Sequence, residues 1–221
     1  MTSADEQPLL DAFDLSIRYG RALVWNHVDI ALYPGDIAFL VGPNGSGKTT
    51  LLKCLAGWMR PASGEIRVLG ETLTGRSARL RGAISFVSDV PAFYDDLTAR
   101  EHIEFLLRAN REEGRRAEAE EMLEAFGLTG SCDAYPSAFS RGMREKLALV
   151  ICLMTHPRLL LLDEPTGPLD PQSCELFGRY VKKAAEMGAA VLMSCHHDLP
   201  HVSADVVYEL SGGHVRILDH E

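Results

Sequence analysis

The sequence has no closely spaced cysteine pair, no hydrophobic run long enough to cross a bilayer and no block of clustered positive charge. Its five cysteines (Cys54, Cys132, Cys152, Cys174 and Cys195) are scattered and odd in number. That excludes a disulfide or zinc framework and suits free thiols in a reducing compartment. The longest apolar stretch, "LALVICLM", falls far short of the roughly 20 residues a membrane helix needs. The opening "MTSADEQPLL" is acidic and polar and is not expected to be a signal peptide. A formal charge of −9 argues against a nucleic-acid backbone as a partner, because counterion release needs clustered Lys and Arg. "GRSARLRG" and "RANREEGRR" are locally basic and read as solvated faces. No internal repeat or low-complexity linker occurs.

What is present is enough for one good core. The chain has 221 residues, 46% of them apolar, with room for a smaller attached subdomain. Alternation in "FDLSIRY" and "VDIALY" predicts two strands, and "GDIAFLVG" a buried strand running into a Gly-rich loop. "GKTTLLKCLAGWM" predicts a helix, and "SGEIRVLG" and "GAISFVSD" two further strands. From "LTAREHIEFLLRAN" to about Thr155 the pattern turns helical, with Thr98 as N-cap and Glu101 placed for a capping box. "PRLLLLDEP" and "AAVLMSCH" read as buried strands separated by the helix "PQSCELFGRYVKKAAEMG", and "DVVYELSGGHVRIL" as a closing hairpin. Strand–helix alternation with an inserted helical block predicts an α/β fold: a P-loop NTPase core with an antiparallel β edge subdomain and an all-helical subdomain. The expected boundaries are 1–88 and 156–221 for the core and 89–155 for the helices.

"GPNGSGKT" fills the pattern GxxxxGK[ST] between a predicted strand and a predicted helix, the context in which the pattern carries a mechanism. Glycines 42, 45 and 47 let backbone N–H groups turn towards a phosphate. Lys48 supplies a point charge to the β and γ oxygens, and the Thr49 hydroxyl faces Mg²⁺. With Asn44, Ser46 and Thr50 these residues form the expected nucleotide-binding loop. Asp163 ends the strand in "LLLLDEP", where a carboxylate suits Mg²⁺. Glu164 follows on a different side of the strand, placed to act on water. A second segment, "AFSRGMREKLAL", also looks like an anion-holding helix start, with Ser140 as cap and Gly142 allowing close approach.

Together these segments resemble the ATP-binding subunit of an ABC transporter over nearly the whole length. The resemblance implies ATP hydrolysis with ATP and Mg²⁺ bound, and Tyr19 stacked on adenine. It also implies a switch histidine in "LMSCHHDL" (His196, with His197 as the spare candidate) and a D-loop in "EPTGPLDPQ" with Asp170 as its acid. His197 and His201, spaced four apart, read as a surface turn rather than a metal pair. "FSRGM" stands where the family has its signature segment. In that family two cassettes dock head to tail, so Ser140 and Gly142 would meet the γ-phosphate lying on a partner's Lys48. The implied partners are a transmembrane permease subunit and a second ATPase subunit, identical or not, with no nucleic acid. The implied location is cytoplasmic, peripheral on the inner face of the cell membrane.

Two segments depart from the family's usual residues. Arg141 and Met143 replace Gly and Gln in the signature, a variant that resembles separate-subunit exporters of drugs, antibiotics or lipids. Asp89 stands where the family has a Gln that reaches the metal, and it is expected to keep a metal contact. The rival reading is a regulatory ABC protein with weak or no hydrolysis.

Overall fold

The computed structural model describes residues 7–20, 22–74, 78–195 and 199–218, with residues 19, 22 and 78 described through their backbone. An antiparallel sheet is made of β1 (Leu10–Tyr19), β2 (Ala22–Leu32), β4 (Ser63–Val68) and β5 (Glu71–Thr72), in the order β2-β1-β4-β5. A second sheet holds β3 (Ile37–Val41), β6 (Ile84–Val87), β7 (Leu159–Asp163), β8 (Ala190–Ser194), β9 (Val206–Ser211) and β10 (His214–Leu218). Its order is β10-β9-β3-β8-β7-β6, parallel except for the β9–β10 hairpin.

The runs "IAFLV", "LLLLD" and "AVLMS" are continuously apolar because their strands are covered on both faces. Side-chain alternation divides each run between two cores. Ala38, Leu40, Leu159, Leu161, Ala190 and Leu192 face the antiparallel sheet and α1 (Lys48–Leu55), where Leu51, Leu52 and Leu55 are fully buried. Ile37, Phe39, Leu160, Leu162, Val191 and Met193 face the helices on the other side. Those are α3 (Ala99–Asn110), α4 (Arg116–Ala125), α5 (Arg141–Met154) and α6 (Pro171–Glu186). Each fully buried side chain of this kind contributes about 1.5–3 kcal/mol.

The helical block contains α3, α4 and α5 between β6 and β7. Thr98 caps α3 as its sequence suggests: its Oγ1 accepts from the Glu101 N–H at 3.3 Å, and its N–H donates to Glu101 Oε2 at 2.8 Å. Two arginines of the basic stretch "RANREEGRR" are held in ion pairs, Arg115 to Glu112 and Glu118, Arg116 to Glu104 and Glu120. "GRSARLRG" corrects one expectation. Its described part opens a short helix, α2 (Ala78–Ala83), and Leu80 lies fully buried in the core. Arg79 and Arg81 remain outside, Arg79 pairing with Glu71.

Candidate functional site

The phosphate loop leaves the middle of the large sheet at the end of β3. Gly42 sits at φ 147°, and a Cβ there would lie 2.2 Å from the Leu210 carbonyl oxygen. Gly47 sits at φ 101° as the N-cap of α1, and a Cβ there would lie 2.7 Å from a Val24 methyl. Both positions therefore exclude any side chain. Gly47 offers no side-chain cap, so the first N–H groups of α1 lack the partner that a Ser or Asp would supply. Lys48 is buried, and its Nζ donates to the carbonyls of Gly42 at 2.9 Å and Pro43 at 3.4 Å. Asn44, Gly45 and Thr49 are exposed around this cradle, Thr50 is half-buried, and Ser46 Oγ is buried without a partner among the described residues.

Asp163, only 1% exposed, stands at the carboxyl end of β7, paired in register with Ser194 of β8. Ser194 Oγ donates to Asp163 Oδ1 at 2.7 Å, while Oδ2 is buried with no hydrogen bond among the described residues. An ionised carboxylate with one oxygen orphaned in the interior is costly unless a cation completes it. The donor set of Asp163 and Thr49 therefore fits Mg²⁺. No group of three or more His, Cys, Asp or Glu side chains suited to a metal occurs among the described residues, so a triphosphate would have to supply the remaining oxygens.

Glu164 lies at φ +50°, in the left-handed region that a non-Gly residue enters only under constraint. Its N–H is held by Ser194, through the backbone oxygen at 3.2 Å and Oγ at 2.9 Å. One hydroxyl thus fixes both neighbouring acids. Sequence reasoning missed Ser194. The available signal was a polar residue closing an otherwise apolar strand.

At the second helix start, Ser140 caps α5, its Oγ accepting from the Met143 N–H at 3.2 Å. Gly142 abuts the D-loop segment: a Cβ there would lie 2.9 Å from the Pro168 carbonyl oxygen. Asp170 is occupied within the chain. It caps α6 through Ser173 and pairs with Lys146 of α5 at 2.7 Å. The Lys146 ammonium, then the Ser173 bonds, hold its carboxyl well below the usual range. Asp89 is likewise engaged within the chain. Its Oδ1 meets Arg141 Nη2 at 3.1 Å, so the partner the structure gives it is a guanidinium rather than the Thr49–Asp163 pair.

A family model described as "ABC transporter" matches residues 25–167. The chain belongs to the ABC transporter family. Among curated relatives of this ABC chain, the cytochrome c biogenesis ATP-binding export protein CcmA 2 of Cupriavidus metallidurans is 32% identical over 87% of the chain and 91% of its own length. The sulfate/thiosulfate import ATP-binding protein CysA of Synechococcus elongatus is 42% identical over 71% of the chain and 46% of its own length. The bacitracin transport ATP-binding protein BcrA of Bacillus licheniformis is 34% identical over 85% of the chain and 61% of its length. The chain thus spans about half to two thirds of two of these relatives. A solved structure titled "Structure of ATP binding subunit of ABC transporter" superposes with a TM-score of 0.85 at 28% identity, over 94% of this chain and 88% of that one. Within the ABC cassette, two expected positions, His196 and His197, lie outside the described residues, as does the side chain of Tyr19. No described helix is long and apolar enough to cross a membrane.

Proposed function

We propose that the chain is an ATP-hydrolysing cassette that powers transport through a separate transmembrane subunit. The observation that carries this reading is the pairing of an uncapped, glycine-walled helix start with a buried carboxylate oxygen lacking a partner. The triphosphate lies across the N-terminus of α1, where Lys48 exchanges its loop carbonyls for β and γ oxygens. Thr49 and Asp163 would hold Mg²⁺, which when bound supplies charge neutralisation along the triphosphate. Glu164, held by Ser194, orients the attacking water and accepts its proton, a role worth about 10²–10⁴ in rate. The family resemblance assigns adenine to Tyr19 and the γ-phosphate to His196. Asp170 acts through the D-loop it shapes.

Ser140 belongs to a partner's site in this reading. Its Oγ accepts from Met143, which leaves the hydroxyl proton to donate outward to a triphosphate on a second copy. Two copies placed head to tail then form two shared sites, closing on ATP and opening after hydrolysis.

The transmembrane partner is assigned to a groove of about 720 Å³ lined by Phe86, Pro91, Phe93, Tyr94 and Leu106. The loop at its rim is anchored to α3: the Tyr94 N–H donates to His102 Nε2 at 2.9 Å, and the His102 ring stacks on Tyr94. Tyr94 and Val90 nonetheless stay 60% and 72% exposed, which suits a docking surface. We assign export as the direction on the "FSRGM" form of the signature.

ATP turnover by the purified chain, alone and with its copurifying membrane protein, tests the reading. Turnover that depends on Lys48 and Glu164 is expected. A folded chain that neither binds nor turns over ATP in either setting contradicts it.

A further inference from the structure

Two of the three positions at which this chain departs from its family's usual residues, Asp89 and Arg141, touch one another. Asp89 follows β6 and Arg141 opens α5, so they are remote in sequence and belong to different halves of the site. Asp89 lies two residues beyond the end of β6, whereas Arg141 adjoins Ser140 on the surface assigned to a partner's nucleotide. Their contact is a single Nη2–Oδ1 approach at 3.1 Å between side chains 64% and 48% exposed. One-point pairs at this exposure are weak and exchange partners readily.

The other cations near this helix start have deeper commitments. Arg144 donates to the Phe139 carbonyl at 2.9 Å, and Lys146, 18% exposed, pairs with Asp170. Glu145, one turn beyond Arg141, is 1% exposed with Oε1 unpartnered among the described residues. Burial, then the charge of Asp89, push its carboxyl up to about 8 against the opposing pull of Arg141. Near neutral pH it therefore carries its proton and does not compete for the guanidinium. That leaves Asp89 as the anion that holds Arg141 within the chain.

We propose that Asp89 and Arg141 form an intrachain latch that holds α5 against the loop after β6 until a partner's triphosphate takes the guanidinium. A planar guanidinium binds phosphate oxygens through two parallel bonds, which the one-point carboxylate contact does not match. Exchange of partners makes closure of the pair compete with the latch, so Asp89 restrains dimerisation and Arg141 promotes it. Arg141 is thus a binding residue of the shared site. The inference rests on the head-to-tail reading above.

The test uses the Glu164→Gln chain, in which ATP is retained, and reads the ATP concentration at half-maximal dimerisation by sedimentation. Adding Asp89→Asn is expected to lower that concentration about two- to fivefold, the range of an exposed ion pair. Adding Arg141→Gln is expected to raise it, and in the presence of Arg141→Gln the Asp89→Asn change should have no further effect. Equal shifts from Asp89→Asn with and without Arg141→Gln, or no shift at all, overturn the latch while leaving the shared site standing. Failure of the Glu164→Gln chain to dimerise with ATP overturns the shared site and the latch together.

Discussion

The start of α1 has no side-chain cap and is walled by glycines, whereas the start of α5 is capped by Ser140 from within the chain. At α1 the N-cap residue Gly47 supplies no side-chain acceptor, and Gly42 and Gly47 leave no room for a side chain. At α5 the Met143 N–H already has the Ser140 oxygen at 3.2 Å. The first start leaves its N–H groups to an anion; the second has one of its N–H groups met by Ser140 and adds a hydroxyl proton and the Arg141 guanidinium. On the proposed head-to-tail reading, triphosphate would settle on α1 of one copy first and α5 of another would join afterwards, as a second and weaker contact.

Variants at the two starts should separate accordingly. The largest effect is expected from Glu164→Gln, which should slow turnover by about 10²–10⁴ while ATP-dependent dimers persist in gel filtration. Next, Lys48→Ala should weaken ATP binding to the isolated chain by about 10- to 100-fold, the equivalent of one charge-assisted bond. Ser140→Ala should leave that binding unchanged in calorimetry and reduce turnover instead. If both variants weaken first binding equally, the contrast between the two starts is broken.

Ser194→Ala should reduce turnover by about tenfold, the weight of one hydrogen bond to a charged acid. Its ATP binding should change less, because Lys48 is untouched. The smallest effect is expected from Glu145, whose carboxyl is raised from the ordinary value near 4.5 to about 8 by burial and by Asp89. The folded chain holds this proton more tightly than the unfolded one. The stability it contributes is full below about pH 4.5 and is lost as the pH climbs to about 8. Glu145→Gln should flatten this part of the pH dependence, seen by comparing denaturant midpoints at acidic and mildly alkaline pH.

Much of this arrangement was legible in the residues. "GPNGSGKT" announces its loop because glycine, lysine and threonine each have a separate physical task there. The buried strands show as short apolar runs, and Thr98 with Glu101 marks a helix start through local bonding alone. What stayed hidden depends on neighbours remote in sequence. Ser194 becomes a support for Asp163 and Glu164 only because β8 lies beside β7 in a defined register, and apolar periodicity carries no information on which strands adjoin. The engagement of Asp170 by Ser173 and by Lys146 likewise depends on α5 lying beside α6. Asp89 looked like a metal contact because the segment around it resembles one. The approach of Arg141 from α5 follows from packing of the helical block, which neither segment encodes alone. The burial of Leu80 within a basic stretch was masked by the charges around it.

The claim that each catalytic pocket is shared between copies is tested most directly by mixing two defective chains, Lys48→Ala and Ser140→Glu. Each variant alone has both of its shared sites damaged. A mixed pair has one site with Lys48 from one copy and Ser140 from the other, both intact. The account predicts that the separate variants are inert and that the mixture regains ATP hydrolysis. A mixture of folded chains that stays as inert as its components would contradict it.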